Sequence, residues 1–122
     1  MTTQQVADRL VALCRENDYD RAMNELYGPD IVSIEPFAPP GKSAESRGLA
    51  AVKAKAEWWT GAHTINEARV EGPLVADFHF CVRFFFDVTQ KATGTQMRFS
   101  ELGVYEVKDG KIVREEFFYS MG

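Results

Sequence analysis

From His63 onward apolar and polar residues alternate, whereas before it the apolar residues recur at intervals of three and four. Alternation puts successive side chains on opposite faces of a strand, and the longer interval puts them on one face of a helix. That switch of period limits the fold more than any other feature. Before it, Val6, Leu10, Leu13 and Cys14 mark one face of a helix from Thr3 to Asn17, with Thr2 or Thr3 as its cap. Asn17 and Asp18 break it, and Asp20 is expected to cap a short second helix carrying Ala22, Met23, Leu26 and Tyr27. "GPD", Gly28 to Asp30, ends that helix and feeds a short strand through Ile31, Val32 and Ile34. The stretch "PFAPPGKSAESRG" reads as an irregular loop, since its prolines and glycines oppose regular pairing. Leu49, Val52, Ala56 and Trp59 then predict a third helix to about Thr60, stopped by Gly61.

After the switch, "HTINEARVEG" reads as one strand, "LVADFHFCVRFFFDVT" as a long one, "TQMRFSELGVYEVK" as its partner and "KIVREEFFYS" as the last. "KDGK", Lys108 to Lys111, predicts a tight hairpin, because Asp-Gly supplies the positive φ angles that such a turn needs. Helices first and strands after predict an α+β fold, with three N-terminal helices packed on one face of a curved, mainly antiparallel sheet. At 122 residues the chain is expected to form one domain over 1–122.

The alternation also assigns faces. Phe78, Phe80, Val82, Phe84, Phe86 and Val88 share the core face of the long strand, and His79, Cys81, Arg83, Phe85 and Asp87 the other. A four-residue turn at "KATG" would set Met97, Phe99, Glu101, Gly103, Tyr105 and Val107 on the same inner face, continued by Val113, Glu115, Phe117 and Tyr119. Two carboxylates, Glu101 and Glu115, thereby face an aromatic interior. Each then requires a partner, a proton or a water-filled cavity. On the outer face, Phe85, Leu102, Val104, Ile112 and Phe118 lie among His79, Arg83, Arg98 and Arg114, a mixture suited to a homodimer contact between sheets.

Composition narrows the function. Nine Phe, four Tyr and two Trp crowd mainly into the second half and suggest a core or cavity walled by rings. A net charge of −4, with Lys and Arg dispersed, argues against nucleic acid or anionic lipid as partners. Cys14 and Cys81 lack metal-type spacing and read as reduced thiols, and His63 and His79 have no companions for a metal site. Neither a metal nor a cofactor is expected. With no apolar run of about 18 residues and a polar start, "MTTQQVADR", a cytoplasmic location is expected.

One local feature points to chemistry: Glu35 stands directly before Pro36, where a strand has to stop pairing. "NDYDRAMNELYGPDIVSIEPF", "SRGLAAVKAKAEWW" and "GVYEVKDGKIVREEFFY", in this order, resemble the nuclear transport factor 2-like superfamily, which includes ketosteroid isomerases and SnoaL-like polyketide cyclases. The resemblance implies a cone-shaped α+β barrel with an internal pocket, often dimeric through the outer sheet. It also implies that Glu35, as a carboxylate before proline, occupies the position of the isomerases' general base. Their two oxyanion donors would fall on Leu10 and Gly103, which have no side-chain donor to offer.

Three readings stay open. In the first, a cofactor-independent isomerase, cyclase or lyase acts on a small hydrophobic cyclic carbonyl compound. Glu35 would be its base, Glu101 or Glu115 a second acid, and Tyr105, Tyr119 or Tyr27 donors, with Phe37, Trp58, Trp59, Phe84, Phe99 and Phe117 as walls. In the second, the same pocket holds a hydrophobic ligand, or the outer sheet a protein partner, without chemistry. In the third, the aromatic residues fill a solid core. A cavity of about 300 Å³ or more reaching Glu35 separates the first two from the third.

Overall fold

The structure is a computed structural model and describes residues 1–38 and 40–120; Pro39, in the expected Pro/Gly loop, lies outside the described residues. Helix α1 (Thr3–Arg15) opens with a reciprocal cap: the Thr2 hydroxyl accepts from the Gln5 N–H, and the Gln5 side chain accepts from the Thr2 N–H. Such a cap contributes about 1 kcal/mol. Val6, Ala7, Leu10, Val11, Leu13 and Cys14 are its buried stripe. Helix α2 (Tyr19–Leu26) is capped by Asp18, whose carboxylate accepts from the Arg21 N–H, and not by Asp20, which lies in the first turn. The sequence reading placed the cap two residues late because both positions hold aspartate.

Strand β1 (Tyr27–Ile34) begins earlier than expected, since Tyr27 is already extended and Pro29 cannot continue a helix. The loop after it contains a strand that was not expected, β2 (Glu45–Arg47), paired antiparallel with β1 through Ser33 and Ser46. Its three polar residues carry no hydrophobic signal, and it is held by backbone bonds at a sheet edge. Helix α3 (Leu49–Ala62) runs through Gly61, which is accommodated in the last turn instead of ending the helix.

Strands β3 (His63–Ala76), β4 (His79–Gln90), β5 (Gln96–Lys108) and β6 (Lys111–Phe118) complete a six-stranded sheet of order β2-β1-β6-β5-β4-β3. Among the described residues, only β1 and β6 pair in parallel. The sheet does not close, because β2 and β3 remain its two edges, so the expected barrel is an open, half-wrapped sheet. Helix α1 packs across β3 and against α2, while α3 packs against β1, β2 and β3. The turn between β3 and β4 falls at Asp77 and Phe78, with Asp77 at φ 50°, and not at Gly72–Pro73, where the sequence suggested a break. Gly72 and Pro73 instead sit inside β3 at a register shift between Glu71 and Leu74. Phe78, expected on the core face, is consequently exposed.

The register of β4 on β5 follows the alternation: Phe80 faces Tyr105, Phe84 faces Glu101 and Phe86 faces Phe99. Across the Asp109–Gly110 turn the pairing is less regular. Val107 pairs with Ile112 but Glu106 pairs with Arg114, so Val113 is an extra residue in a bulge. Ile112 therefore points inward and is fully buried, a correction to its expected outer position. Beyond the bulge, Glu115 pairs with Tyr105 and Phe117 with Gly103. The outer face retains Leu102 and Phe118 as exposed apolar residues, with Phe85 beneath the Arg69 guanidinium. Among the described residues, no helix is long and apolar enough to cross a membrane.

Candidate functional site

The helices stand off the inner face of the sheet and leave a cavity of about 810 Å³, well above the threshold that separates a pocket from a filled core. The solid-core reading is therefore wrong. Its wall is a chain of rings: Trp59 lies 5.6 Å from Phe86, Phe86 5.8 Å from Phe99, and Phe99 5.8 Å from Tyr119. Glu35, Glu101, Glu115 and Tyr105 all border this space, as do Tyr27, Phe84, Phe99, Phe117, Trp59 and Tyr119. Phe37 and Trp58 border it from the rim, where both are substantially exposed, so they frame the mouth and not the interior.

Each polar group is placed by its element. Ile31 and Ser33 are the buried, inward residues of β1, and Glu35 follows in the same alternation. The Glu35 N–H still donates to the Ala44 carbonyl at 2.8 Å, which fixes its backbone, and Pro36 cannot extend the pairing. The Tyr119 hydroxyl donates to Glu35 Oε1 at 3.3 Å. Lys55 Nζ stands 3.6 Å from Oε2, an ion-pair distance, and Oε2 is buried without a hydrogen-bond partner among the described residues. Burial raises the Glu35 pKa, against the opposing pull of Lys55 and Tyr119.

Glu115 is almost wholly inaccessible and is held at both oxygens. Tyr27 Oη donates to Oε2, and Ser33 Oγ donates to Oε1 at 2.8 Å. Lys55 Nζ in turn donates to Ser33 Oγ, so one ammonium serves Glu35 directly and Glu115 through a serine. Burial raises the Glu115 pKa even so, with Tyr27, Lys55 and Ser33 working the other way. Glu101 has no such retinue. Burial pushes it up to about 8, and repulsion from Glu35 and Glu115 adds to the shift. A carboxyl raised this far is suited to donate a proton to a ligand near neutral pH.

Lys55, Ser33 and Tyr19 were not singled out from the sequence. Lys55 lies three residues after Val52 and four before Trp59, on the pocket face of α3, a position the helical spacing could have revealed. Ser33 shares its parity with Ile31 and Glu35. Tyr19 borders the same cavity, and its hydroxyl, like Glu35 Oε2, is buried without a partner. Such atoms call for water or a ligand group. Of the two positions lacking donors, Leu10 borders the cavity, and Gly103 is covered by Tyr105: a Cβ at Gly103 would lie 2.9 Å from the Tyr105 hydroxyl oxygen.

His79 is exposed on the outer face, as the alternation indicated. Asp87 also points outward, where Gln96, Asn66 and Arg98 all donate to it and hold its pKa below the ordinary value. His63 borders the cavity. Among the described residues, no group of three or more His, Cys, Asp or Glu is arranged to hold a metal ion.

Solved structures share this architecture. A protein from Mesorhizobium loti, named as a candidate SnoaL-like polyketide cyclase with carbohydrate phosphatase as a second designation, is 39% identical, with a TM-score of 0.91 over 98% of this chain and 100% of its own. A candidate isomerase from Bacillus subtilis is 24% identical, with a TM-score of 0.76 over 98% of this chain and 90% of its own. An NTF2-like protein from Burkholderia thailandensis is 19% identical, with a TM-score of 0.80 over 98% and 92%. The latter two likenesses speak for the fold alone. No curated protein matches the sequence. The sequence model of the SnoaL-like domain matches residues 1–119, and the chain belongs to that family.

Proposed function

We propose that this protein is a cofactor-independent isomerase, cyclase or lyase that moves protons on a hydrophobic cyclic carbonyl compound. The observation that carries this reading is Glu35 on the wall of an apolar cavity, its Oε2 buried without a hydrogen-bond partner among the described residues and 3.6 Å from the Lys55 ammonium. Proton abstraction next to a carbonyl turns the carbonyl oxygen into an enolate and neutralises Glu35. The negative charge thus leaves the carboxylate and appears on the ligand. Lys55, released from its ion pair at that moment, becomes free to meet the new charge, and protonated Glu101 supplies a second donor. These two groups take over the task for which Leu10 and Gly103 have no donor. The polyketide cyclase name of the Mesorhizobium loti protein agrees with chemistry of this class.

The test is turnover of a panel of cyclic enones, epoxides and polyketide-like ketones by wild type and Glu35→Gln. A loss on the order of 10²- to 10⁴-fold is expected for removal of a general base. Turnover unchanged by the substitution rejects Glu35. The absence of the classical donors favours a second reading, a carrier of hydrophobic ligands, which tight retention without conversion across the panel would establish.

A further inference from the structure

The carbonyl-holding pole of the cavity lies at Glu35, Lys55 and Glu101, yet the cavity extends well past it to a second polar side chain. His63 follows α3 directly, is almost fully buried and borders the same space. Its Nδ1 lies 2.9 Å from the Trp59 carbonyl oxygen. A carbonyl can only accept, so Nδ1 carries the hydrogen, and in the neutral ring Nε2 is left as an acceptor. Trp59 stacks on the imidazole at 4.8 Å with 24° between the planes, which fixes the direction of that lone pair. Nε2 makes no hydrogen bond among the described residues and remains accessible to a small molecule. Seven residues, 56–62, lie between Lys55 and His63, which places the two about 12 Å apart along the axis. Between the two poles the wall is the run of rings Trp59, Phe86 and Phe99, in which the Trp59 indole N–H is the one side-chain polar group.

We propose that His63 is a specificity-determining anchor, and that the ligand is an elongated apolar carbonyl compound bearing a hydroxyl at the end away from the carbonyl. The hydroxyl donates to His63 Nε2 while the carbonyl meets Lys55 and Glu101. The carbonyl end rests on the functional reading above; the hydroxyl end rests on the His63 geometry. A ring nitrogen whose other hydrogen is committed to the backbone distinguishes a donor from an ether or a bare carbon, and one such bond to a neutral group changes affinity by about tenfold.

Three naphthalene probes separate these ends: 6-hydroxy-2-acetonaphthone, its 6-methoxy analogue and 2-acetonaphthone, titrated by calorimetry into wild type, His63→Phe and Glu35→Gln. The wild type is expected to bind the hydroxyl probe about tenfold tighter than the other two. His63→Phe, which keeps the stack on Trp59, is expected to bring all three to one affinity. Glu35→Gln is expected to retain the hydroxyl preference even if it abolishes turnover, so failure of the base leaves the anchor standing and the reverse also holds. The proposal is overturned if wild type binds the hydroxyl and methoxy probes equally, if the preference survives in His63→Phe, or if none of the three binds. Should His63→Phe fail to fold, the ¹⁵N resonance of His63 Nε2 in wild type decides the matter. It moves with the hydroxyl probe and stays in place with the methoxy probe, and equal movement with both sinks the assignment.

Discussion

Asp87 and Glu101 sit on neighbouring strands and point to opposite faces of one sheet, and their proton affinities move in opposite directions. Asp87 is covered by donors, a guanidinium among them, and its pKa falls. Glu101 is covered by rings and carboxylates, and its pKa rises to about 8. What surrounds a carboxylate, more than how deeply it lies, decides whether it is an anion at rest or a proton source. The outer face has the composition of a structural ion network, and the inner face that of a site able to exchange protons near neutral pH.

The largest effect separating the two faces is expected in turnover. Glu35→Gln should reduce it on the order of 10²- to 10⁴-fold, whereas Asp87→Asn should leave it within about twofold, as expected of a group remote from the chemistry. Equal losses in the two variants would erase the distinction between the faces. Next comes the pH dependence of stability. The folded protein keeps the Glu101 proton to about pH 8, while the unfolded chain gives it up near the ordinary value of about 4.3. The native state then binds more protons between these values, so stability is greatest below the lower one and declines as pH rises toward the upper. The slope is on the order of 1 kcal/mol per pH unit. Denaturant unfolding from pH 5 to 8 should show the decline, and Glu101→Gln should flatten it; an unchanged slope would place the raised carboxyl elsewhere.

A smaller shift tests Lys55 as the shared cation. Lys55→Met removes a group that lowers the Glu35 pKa, so the acid limb of the pH–rate profile should move upward. A downward move would mean that Lys55 does not face the ionised base. The smallest expected change concerns Asp87 alone. Its lowered pKa contributes stability above the ordinary aspartate value, which disappears as pH falls through the folded pKa. Asp87→Asn should reduce the acid sensitivity of the melting temperature modestly, without altering the decline between pH 5 and 8.

The alternation of β4 and β5 was sufficient to place Phe84 beside Glu101 and to turn Asp87 outward, because a strand buried on one face admits only one parity. The helical spacing likewise identified the buried stripe of α1. The rest depended on forces that leave little trace in composition. β2 forms from backbone pairing of "ESR", with no apolar residue to announce it. The turn at Asp77 was masked by the stronger punctuation of Gly72 and Pro73, which the sheet absorbs as a bulge. Lys55 was hidden by its charge: lysine is assumed to seek water, yet here carboxylates on β1 and β6 draw it inward.

Ile112 and Glu115 are three residues apart and both point inward, which a regular strand forbids. The extra residue at Val113 makes it possible, and its consequence is that the bulge as well as residue identity sets the inner face of β6. Were the same residues laid on a plain ladder from the Asp-Gly turn, without the bulge, every row beyond Ile112 would reverse. Arg114 and Glu116 would then occupy the inner rows, with Glu115, Phe117 and Tyr119 turned to the outside. The composition of the chain would not change, but the pocket would exchange an acid for a guanidinium. The bulge, and not composition alone, therefore decides which residues of β6 reach the pocket.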